Sequence, residues 1–279
     1  MNLRRYKNLV PDSALHRELE KLLQEQNGRV PLQQVCEQVM QIRGQDGQTA
    51  EKLVATLIEG DPRMRLNGNA TVEWTEPSLE EISDPNQRFT VFDLEVTNAA
   101  HGQERIIEIG ICHVEKGEIV DEWSSLVNPE RPIPYWVRRL TGIKNEDVRH
   151  APRFKELLPR LLDELEDALL VAHHAQFDVD CLNSEISRAV EQRLTNRYLC
   201  TVELARRFLP ESENYRLETL SQWLQLNHER PHRAGSDARA TAELFCHLLR
   251  KAEAPWSDYL RPRPTPAAKE ERAQAAETD

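Results

Sequence analysis

The chain has 279 residues, of which 39% are hydrophobic and 30% charged, and its formal net charge at pH 7 is −11. This composition is typical of a globular protein with a sizeable core, and no apolar run approaches the roughly 20 residues that cross a bilayer. We therefore expect no membrane association. The basic start, MNLRRYKNLV, lacks the apolar segment of a signal peptide. An acidic chain disfavours tight non-specific binding to nucleic acid, although bound metal ions can supply positive charge locally.

The cysteines indicate a reducing compartment. They are odd in number and never stand in C-x-x-C spacing, which argues against a disulfide framework and against a zinc site. We expect buried, reduced thiols in a cytoplasmic protein. The five residues are Cys36, Cys112, Cys181, Cys200 and Cys246.

Residues 1–80 have the pattern of a small α+β module. Apolar stripes predict three helices, the first capped by Asp12 or Ser13, the second opened by Pro31 and the third capped by Thr49. A β-hairpin is predicted around Asn67-Gly68. Three helices followed by a hairpin are typical of a winged helix-turn-helix domain.

The role of this module stays open between DNA docking and a protein-contact or structural role. A winged helix docks on DNA through its third helix. That helix offers only Lys52 against Glu51 and Glu59, which is little positive charge for a major groove. On the hairpin, Arg63 and Arg65 are available to touch phosphates.

A linker at residues 81–88 precedes a region of mixed strands and helices at 89–251. Strands are predicted at 89–96, 106–114, 118–126 and 168–173. Helices are predicted at 154–165, 179–190, 202–208, 217–224 and 237–251. This order predicts an α/β fold with a mixed sheet flanked by helices. Residues 252–279, rich in Pro, Ala and Glu, are expected to form a disordered tail.

Asp93 and Glu95 stand two residues apart in an otherwise apolar strand, FTVFDLEV. Side chains at i and i+2 of a strand share a face, so both carboxylates point to one place. Two ionised acids in such a strand repel each other and lose hydration unless a cation pairs with them. Hard carboxylate oxygens suit Mg²⁺ or Mn²⁺. Taken alone, the pair is also compatible with an edge strand facing water.

Three further residues are ambiguous when each is taken alone. Asp178 follows a predicted strand and precedes a helix, which is typical of a helix N-cap. His232 is compatible with an ordinary loop histidine, and Asp237 with an acid favoured by the helix dipole.

Together, these residues form three motifs in the order of a known family. They are FDLEVT at 92–97, HAQFD at 174–178 and HRAGSDA at 232–238, with IIEIG at 106–110 and LTGI at 140–143, before a predicted helix, as supporting segments. The region 88–251 resembles the DnaQ-like 3′→5′ exonucleases of the DEDDh type, the group that includes the proofreading subunit of bacterial replicative polymerases. The resemblance implies a ribonuclease H-like fold with a mixed five-stranded sheet, preceded here by the winged-helix-like module.

The resemblance also implies a two-metal phosphodiesterase. Two divalent ions, Mg²⁺ or Mn²⁺, would activate the attacking water and stabilise the leaving oxygen. His232 would act as general base, so activity is expected to rise with pH as it becomes neutral. The acids beside the ions are expected to have lowered pKa values. The implied metal ligands are Asp93, Glu95, Asp178 and Asp237.

Substrate contacts are less defined. Val96 replaces a family threonine, and His174 replaces the asparagine of the second motif, which leaves substrate preference open. The predicted substrate-binding residues are Thr97, His174, Arg138 and Arg139. Scattered charge on a solvated helix is an alternative interpretation of the two arginines, with Lys144, Arg149 and Arg153 beside them. Tyr135 and Trp136 have the chemistry to stack on bases but also suit a helix start.

The sequence therefore predicts a 3′→5′ exonuclease acting on single-stranded or frayed DNA 3′ ends, in repair, proofreading or degradation. An alternative with the same chemistry is an exoribonuclease that trims RNA 3′ ends. A third hypothesis is a winged-helix regulatory protein whose exonuclease-like region is only a scaffold. Membership in a DNA polymerase complex and the oligomeric state stay open.

Overall fold

The fold is taken from a computed structural model, which describes Tyr6 and residues 8–75, 87–98, 103–166, 168–252 and Tyr259. The chain forms two compact units. One contains the described residues up to 75 together with 191–195, and the other contains the described residues of 87–190 and 196–259. Of the predicted linker and tail, residues 81–86 and nearly all of 252–279 lie outside the described residues.

The N-terminal unit has the predicted helices and hairpin. Its elements are β1 (Leu9–Pro11), α1 (Ala14–Glu25), β2 (Arg29–Pro31), α2 (Leu32–Gln34), which runs on as a wider π-helical turn (Val35–Val39), α3 (Gly47–Leu57), β3 (Met64–Asn67) and β4 (Thr71–Trp74). The three-stranded antiparallel sheet has the order β2-β4-β3. Ser13 caps α1, as one of the two predicted alternatives. The predicted cap Thr49 is wrong, because the Asp46 carboxylate accepts from the Thr49 backbone N–H at 2.7 Å.

Arg63 is buried in this unit and does not face solvent. Its side chain is 3% exposed, donates to both carboxylate oxygens of Asp61 at 2.9 and 2.6 Å, and also pairs with Glu20. The guanidinium lies 4.9 Å from the ring centroid of Trp74. The interpretation of Arg63 as a phosphate contact is therefore wrong, because its guanidinium is buried and already paired with two carboxylates.

Residues 191–195 belong with the N-terminal unit although they follow the long helix of the other. Their strand β9 (Gln192–Leu194) pairs antiparallel with β1, with Val10 opposite Arg193. Arg193 also pairs with the buried Glu20. This long-range pairing departs from the predicted boundary at residue 89, because no local pattern marks residues 191–195 as part of the N-terminal unit.

The second unit contains the following elements. They are β5 (Phe89–Val96), β6 (Ile106–Glu115), β7 (Glu118–Leu126), α4 (Tyr135–Thr141), α5 (Asn145–Val148), α6 (Phe154–Leu165), β8 (Leu169–Ala172), α7 (Ala175–Val190), β10 (Tyr198–Cys200), α8 (Thr201–Phe208), α9 (Leu217–Leu224) and α10 (Ala234–Lys251).

The sheet of this unit has five strands in the order β10-β8-β5-β6-β7. β10 pairs with β8, and β8 with β5, in parallel, whereas β5-β6 and β6-β7 are antiparallel. Strand β6, between β5 and β7, is buried at every residue except its last, which is typical of a strand covered on both faces. The predicted α/β fold with a mixed five-stranded sheet is therefore confirmed.

Of two predictions about helix starts, one is wrong and one is confirmed. α7 begins at Ala175, so Asp178 lies inside its first turn, and the interpretation of Asp178 as an N-cap is wrong. The segment Leu140–Ile143 does precede a helix, as predicted, since α5 begins at Asn145. The same segment also ends α4, which has Gly142 as its C-cap with a φ of 72°.

The described residues show no helix long and apolar enough to cross a membrane. The cysteine prediction is confirmed in its structural part, since all five thiols are free and buried.

Candidate active site

Asp93 and Glu95 lie on one face of β5, as the alternation of a strand requires. Their partners across the antiparallel pair are Gly110 and Glu108 of β6. Directly opposed residues of neighbouring strands share a face. Three carboxylates therefore meet on this part of the sheet.

Gly110 lets the start of α10 lie directly on the sheet. A Cβ built on Gly110 would stand 2.0 Å from the carbonyl oxygen of Ala234 and 2.6 Å from the backbone nitrogen of Gly235. No side chain fits in this space. The close approach brings the third motif to the strand that faces Asp93.

Glu108 binds the N-terminal end of α10. Its carboxylate accepts from Arg233 in a two-pronged pair, with Nε at 3.0 Å and Nη2 at 2.6 Å. It also accepts from the backbone N–H of Ala234 at 2.9 Å, which satisfies one of the free N–H groups of a helix N-terminus. Sequence reasoning identified IIEIG as a family segment but missed this role, because the partners stand about 125 positions away.

Asp178 reaches the site from α7. Its side chain is buried, and its carboxylate accepts a hydrogen bond from the backbone N–H of Leu94, between the two acids of β5. This bond ties the second motif to the first.

Asp237 reaches the site from α10 and has two partners in the preceding loop. Its Oδ1 lies 2.7 Å from Nε2 of His228, and its Oδ2 accepts from the backbone N–H of His232 at 3.1 Å. The His228 side chain is 6% exposed. Sequence reasoning missed His228, because a histidine nine residues before an acid matches no helical or strand periodicity.

His232 stands outside regular structure, as predicted, with a φ of 62°. Its side chain is 40% exposed, and Nε2 lies 3.6 Å from Oε1 of Glu218 at the start of α9. One ligand atom each from His232, Glu95 and Asp237 lies within 4.8 Å of the others. An imidazole here can reach both the acids and solvent.

The crowded acids hold their protons far more strongly than free carboxyl groups. Burial raises the pKa of Glu95 to about 8, with further contributions from Asp237 and Glu108, against a lowering by Arg233. Burial, then Asp178 and Asp237, raises the pKa of Asp93 well above its ordinary value.

Burial likewise raises the pKa of Asp178 and, against the hydrogen bond from His228, that of Asp237. These directions hold for the metal-free chain. They are opposite to the lowered values expected beside bound ions, since a nearby cation favours the charged form of a carboxylate.

The predicted substrate-binding residues are dispersed. Thr97 is 1% exposed, and its hydroxyl accepts from Arg131 at 2.6 Å and from the backbone N–H of Arg105 at 3.1 Å, so it buttresses the end of β5. His174 opens α7 with a φ of 69°. Burial and then the charge of Arg206 lower its pKa, which favours the neutral ring.

Arg138 and Arg139 lie on α4, where Arg139 is exposed and Arg138 half-buried. Neither forms an ion pair with any residue that the structure describes.

The donor set suits divalent cations. Four acids and an imidazole, all oxygen or nitrogen donors, converge at one end of the sheet, and the cluster of ligand atoms among the described residues includes no thiol. The raised pKa values show that the ionised acids lack enough positive charge around them. Asp93, Glu95, Asp178 and Asp237 fit a divalent metal site.

Comparison with known proteins agrees with this arrangement. The family model described as Exonuclease (RNase_T) matches residues 90–245. DNA polymerase III PolC-type of Caldanaerobacter subterraneus is 38% identical over 165 residues, 59% of this chain and 12% of that protein. The 3′-5′ exonuclease DinG of Bacillus subtilis is 37% identical over 187 residues, 67% of this chain and 19% of that protein. The chain thus spans less than one fifth of either relative.

Two solved structures share the fold. One is Exonuclease X in complex with 5′ overhanging duplex DNA, which is 27% identical with a TM-score of 0.50 and covers 61% of this chain and 98% of that chain. The other is the nuclease domain of 3′hExo bound to rAMP, at 17% identity and a TM-score of 0.54, covering 64% of this chain and 98% of that chain. The matched region holds the five-stranded sheet and every acid of the site, and this chain belongs to the exonuclease family.

Proposed function

We propose that this protein is a metal-dependent 3′→5′ exonuclease that removes nucleotides from single-stranded or frayed DNA ends. The observation that carries the proposal is the convergence of Glu95, His232 and Asp237 within 4.8 Å, beside Asp93 and Asp178. The names of the relatives support DNA as substrate, since they are a DNA polymerase III, a 3′-5′ exonuclease and a DNA-bound exonuclease.

The four acids would hold two divalent ions, Mg²⁺ or Mn²⁺. When bound, such ions stabilise negative charge on a phosphodiester and lower the pKa of water. All four carboxylates stand on rigid elements, since Asp93 and Glu95 lie on β5, Asp178 on α7 and Asp237 on α10. Arg233 and Glu108 hold the start of α10 so that Asp237 stays aimed at the strand.

His232 would take the proton of the attacking water at its imidazole. Its exposed position lets the proton pass to solvent, and the carboxylate of Glu218 lies 3.6 Å from Nε2. This role needs a neutral imidazole, so activity is expected to rise with pH from the acid side.

The experiment is digestion of end-labelled DNA and RNA of matched sequence with Mg²⁺ or Mn²⁺, then with EDTA. We expect stepwise shortening of DNA from the 3′ end, its loss in EDTA, and its loss in Asp93→Asn. The matched control is Asp121→Asn, since Asp121 is an exposed acid on β7.

Faster shortening of RNA would establish the exoribonuclease alternative. No shortening of either polymer would overturn the exonuclease proposal and favour the regulatory hypothesis. Work within a polymerase complex is a further proposal, because the PolC-type relative shares only 12% of its length with this chain. A winged-helix role for the N-terminal unit, in binding DNA or protein, likewise stays a proposal.

A further inference from the structure

α4 carries an exposed aromatic and apolar surface. Tyr135 is 69% exposed, Trp136 54% and Leu140 50%. These are three of the seven exposed large hydrophobic side chains found among the described residues, and they fall within one short helix. We call this group, with Arg139, the α4 surface.

The opposite side of α4 is buried against the rest of the unit. Val137 and Thr141 are buried, and Val137 packs with Ile107 of β6, one residue before Glu108. The outward residues 135, 136, 139 and 140 are i, i+4 pairs that share a face. The structure thus presents the aromatic rings to solvent on a fixed support.

The α4 surface lies at the same end of the sheet as the acids. The loop before α4 is tied to the end of β5 by the hydrogen bond from Arg131 to Thr97, two residues beyond Glu95. On the other side of the helix, the charge of Asp147 in α5 acts on Arg233 beside the site.

The charge around this surface is positive in an otherwise acidic chain. Residues 131–153 hold six Lys or Arg and two Asp or Glu, which is a net +4 against −11 for the whole chain. Among the described residues, Arg139, Lys144 and Arg149 have no carboxylate within ion-pair distance. A polyanion with flat bases complements this combination, since bases stack on exposed aromatic rings while phosphates pair with free cations.

We propose that the α4 surface is a stacking platform for the single strand that leads into the active site, with Trp136 as its main contact. This inference rests on the proposed exonuclease function, which sets the direction in which the strand enters the site. The segment bound at the α4 surface would be unpaired nucleic acid a few nucleotides from the cleaved bond. The platform stacks bases without reading their identity, so preference for base sequence is low.

The test combines binding without turnover and hydrolysis of a minimal substrate. Binding of a fluorescein-labelled oligodeoxythymidylate is measured by anisotropy in EDTA with the full chain. Trp136→Leu keeps an apolar side chain but removes the π face, and we expect it to weaken binding roughly tenfold or more, whereas Trp136→Phe retains most binding. The matched control is Trp223→Leu on α9, which is 44% exposed and should bind as the wild type does.

Hydrolysis separates this inference from the proposed function. Trp136→Leu should lose far more activity on the oligonucleotide than on thymidine 5′-(p-nitrophenyl phosphate), which has no neighbouring bases. If the wild type binds the oligonucleotide through Trp136 but hydrolyses neither substrate, the proposed function is overturned and the stacking platform is supported. Equal oligonucleotide binding by wild type and Trp136→Leu would overturn the platform, as would no binding by wild type. A shift to dimer in gel filtration that Trp136→Leu abolishes would then assign the surface to a protein contact.

Discussion

Glu95→Gln should stabilise the metal-free protein at neutral pH. The folded-state pKa of Glu95 is about 8, against an ordinary value of 4.5, mainly because the group is buried. An acid with a raised pKa contributes its full stability below pH 4.5 and loses it as the pH rises toward 8. Glutamine has nearly the same shape and no charge to bury.

The size of the effect follows from the two pKa values. At pH 7.5, keeping Glu95 protonated in the fold costs at most about 4 kcal/mol relative to the unfolded chain. The Glu95 side chain keeps partial contact with solvent, which reduces this cost, and we expect about 2 kcal/mol. For a protein of this size, that raises Tm by about 4–8 °C.

The assay is thermal unfolding in EDTA at pH 7.5 and pH 5, with Glu115→Gln as control, since Glu115 is an exposed acid at the end of β6. The gain in Tm should be present at pH 7.5 and nearly absent at pH 5. Mg²⁺ should then stabilise the wild type more than Glu95→Gln. A gain of equal size at both pH values, or a loss at pH 7.5, would refute the electrostatic reasoning.

Three further substitutions test the supports of the site and of the N-terminal unit. Gly110→Ala should lower Tm by several degrees and abolish nuclease activity, because its methyl group has no room beneath α10, whereas Gly68→Ala meets open space and should do neither. His228→Ala should raise the Mg²⁺ concentration needed for half-maximal activity about tenfold or more, since Asp237 loses the partner at 2.7 Å that orients it. Arg63→Met should destabilise the protein by about 3 kcal/mol by leaving buried carboxylates unpaired, as followed by denaturant unfolding.

Full activity in Gly110→Ala would show that α10 can shift without loss of the site. An unchanged Mg²⁺ requirement in His228→Ala, with lower Tm instead, would make His228 a purely structural residue. Wild-type stability in Arg63→Met would mean that the buried acids of the N-terminal unit take up protons at little cost.

The local sequence pattern was sufficient to predict much of the second unit. The alternation of FTVFDLEV is enough to predict that Asp93 and Glu95 share one face, and β5 begins and ends at the predicted residues. The helix 154–165 likewise matches its prediction, because its apolar positions repeat at the helical period and the Glu156 carboxylate accepts from the backbone N–H of Arg153 at 2.8 Å. The prediction of a mixed five-stranded sheet and of convergent motifs came from family resemblance, since spacing alone left each acid ambiguous.

Tertiary structure decided the contacts between residues far apart in the chain. Glu108 meets Arg233, His228 meets Asp237, and Arg193 returns to Glu20 of the N-terminal unit. No period of 2 or 3.6 residues encodes such pairs, because they depend on how whole elements pack. Local sequence therefore determined which residues share a face of each strand or helix, whereas packing decided which charges became buried and paired.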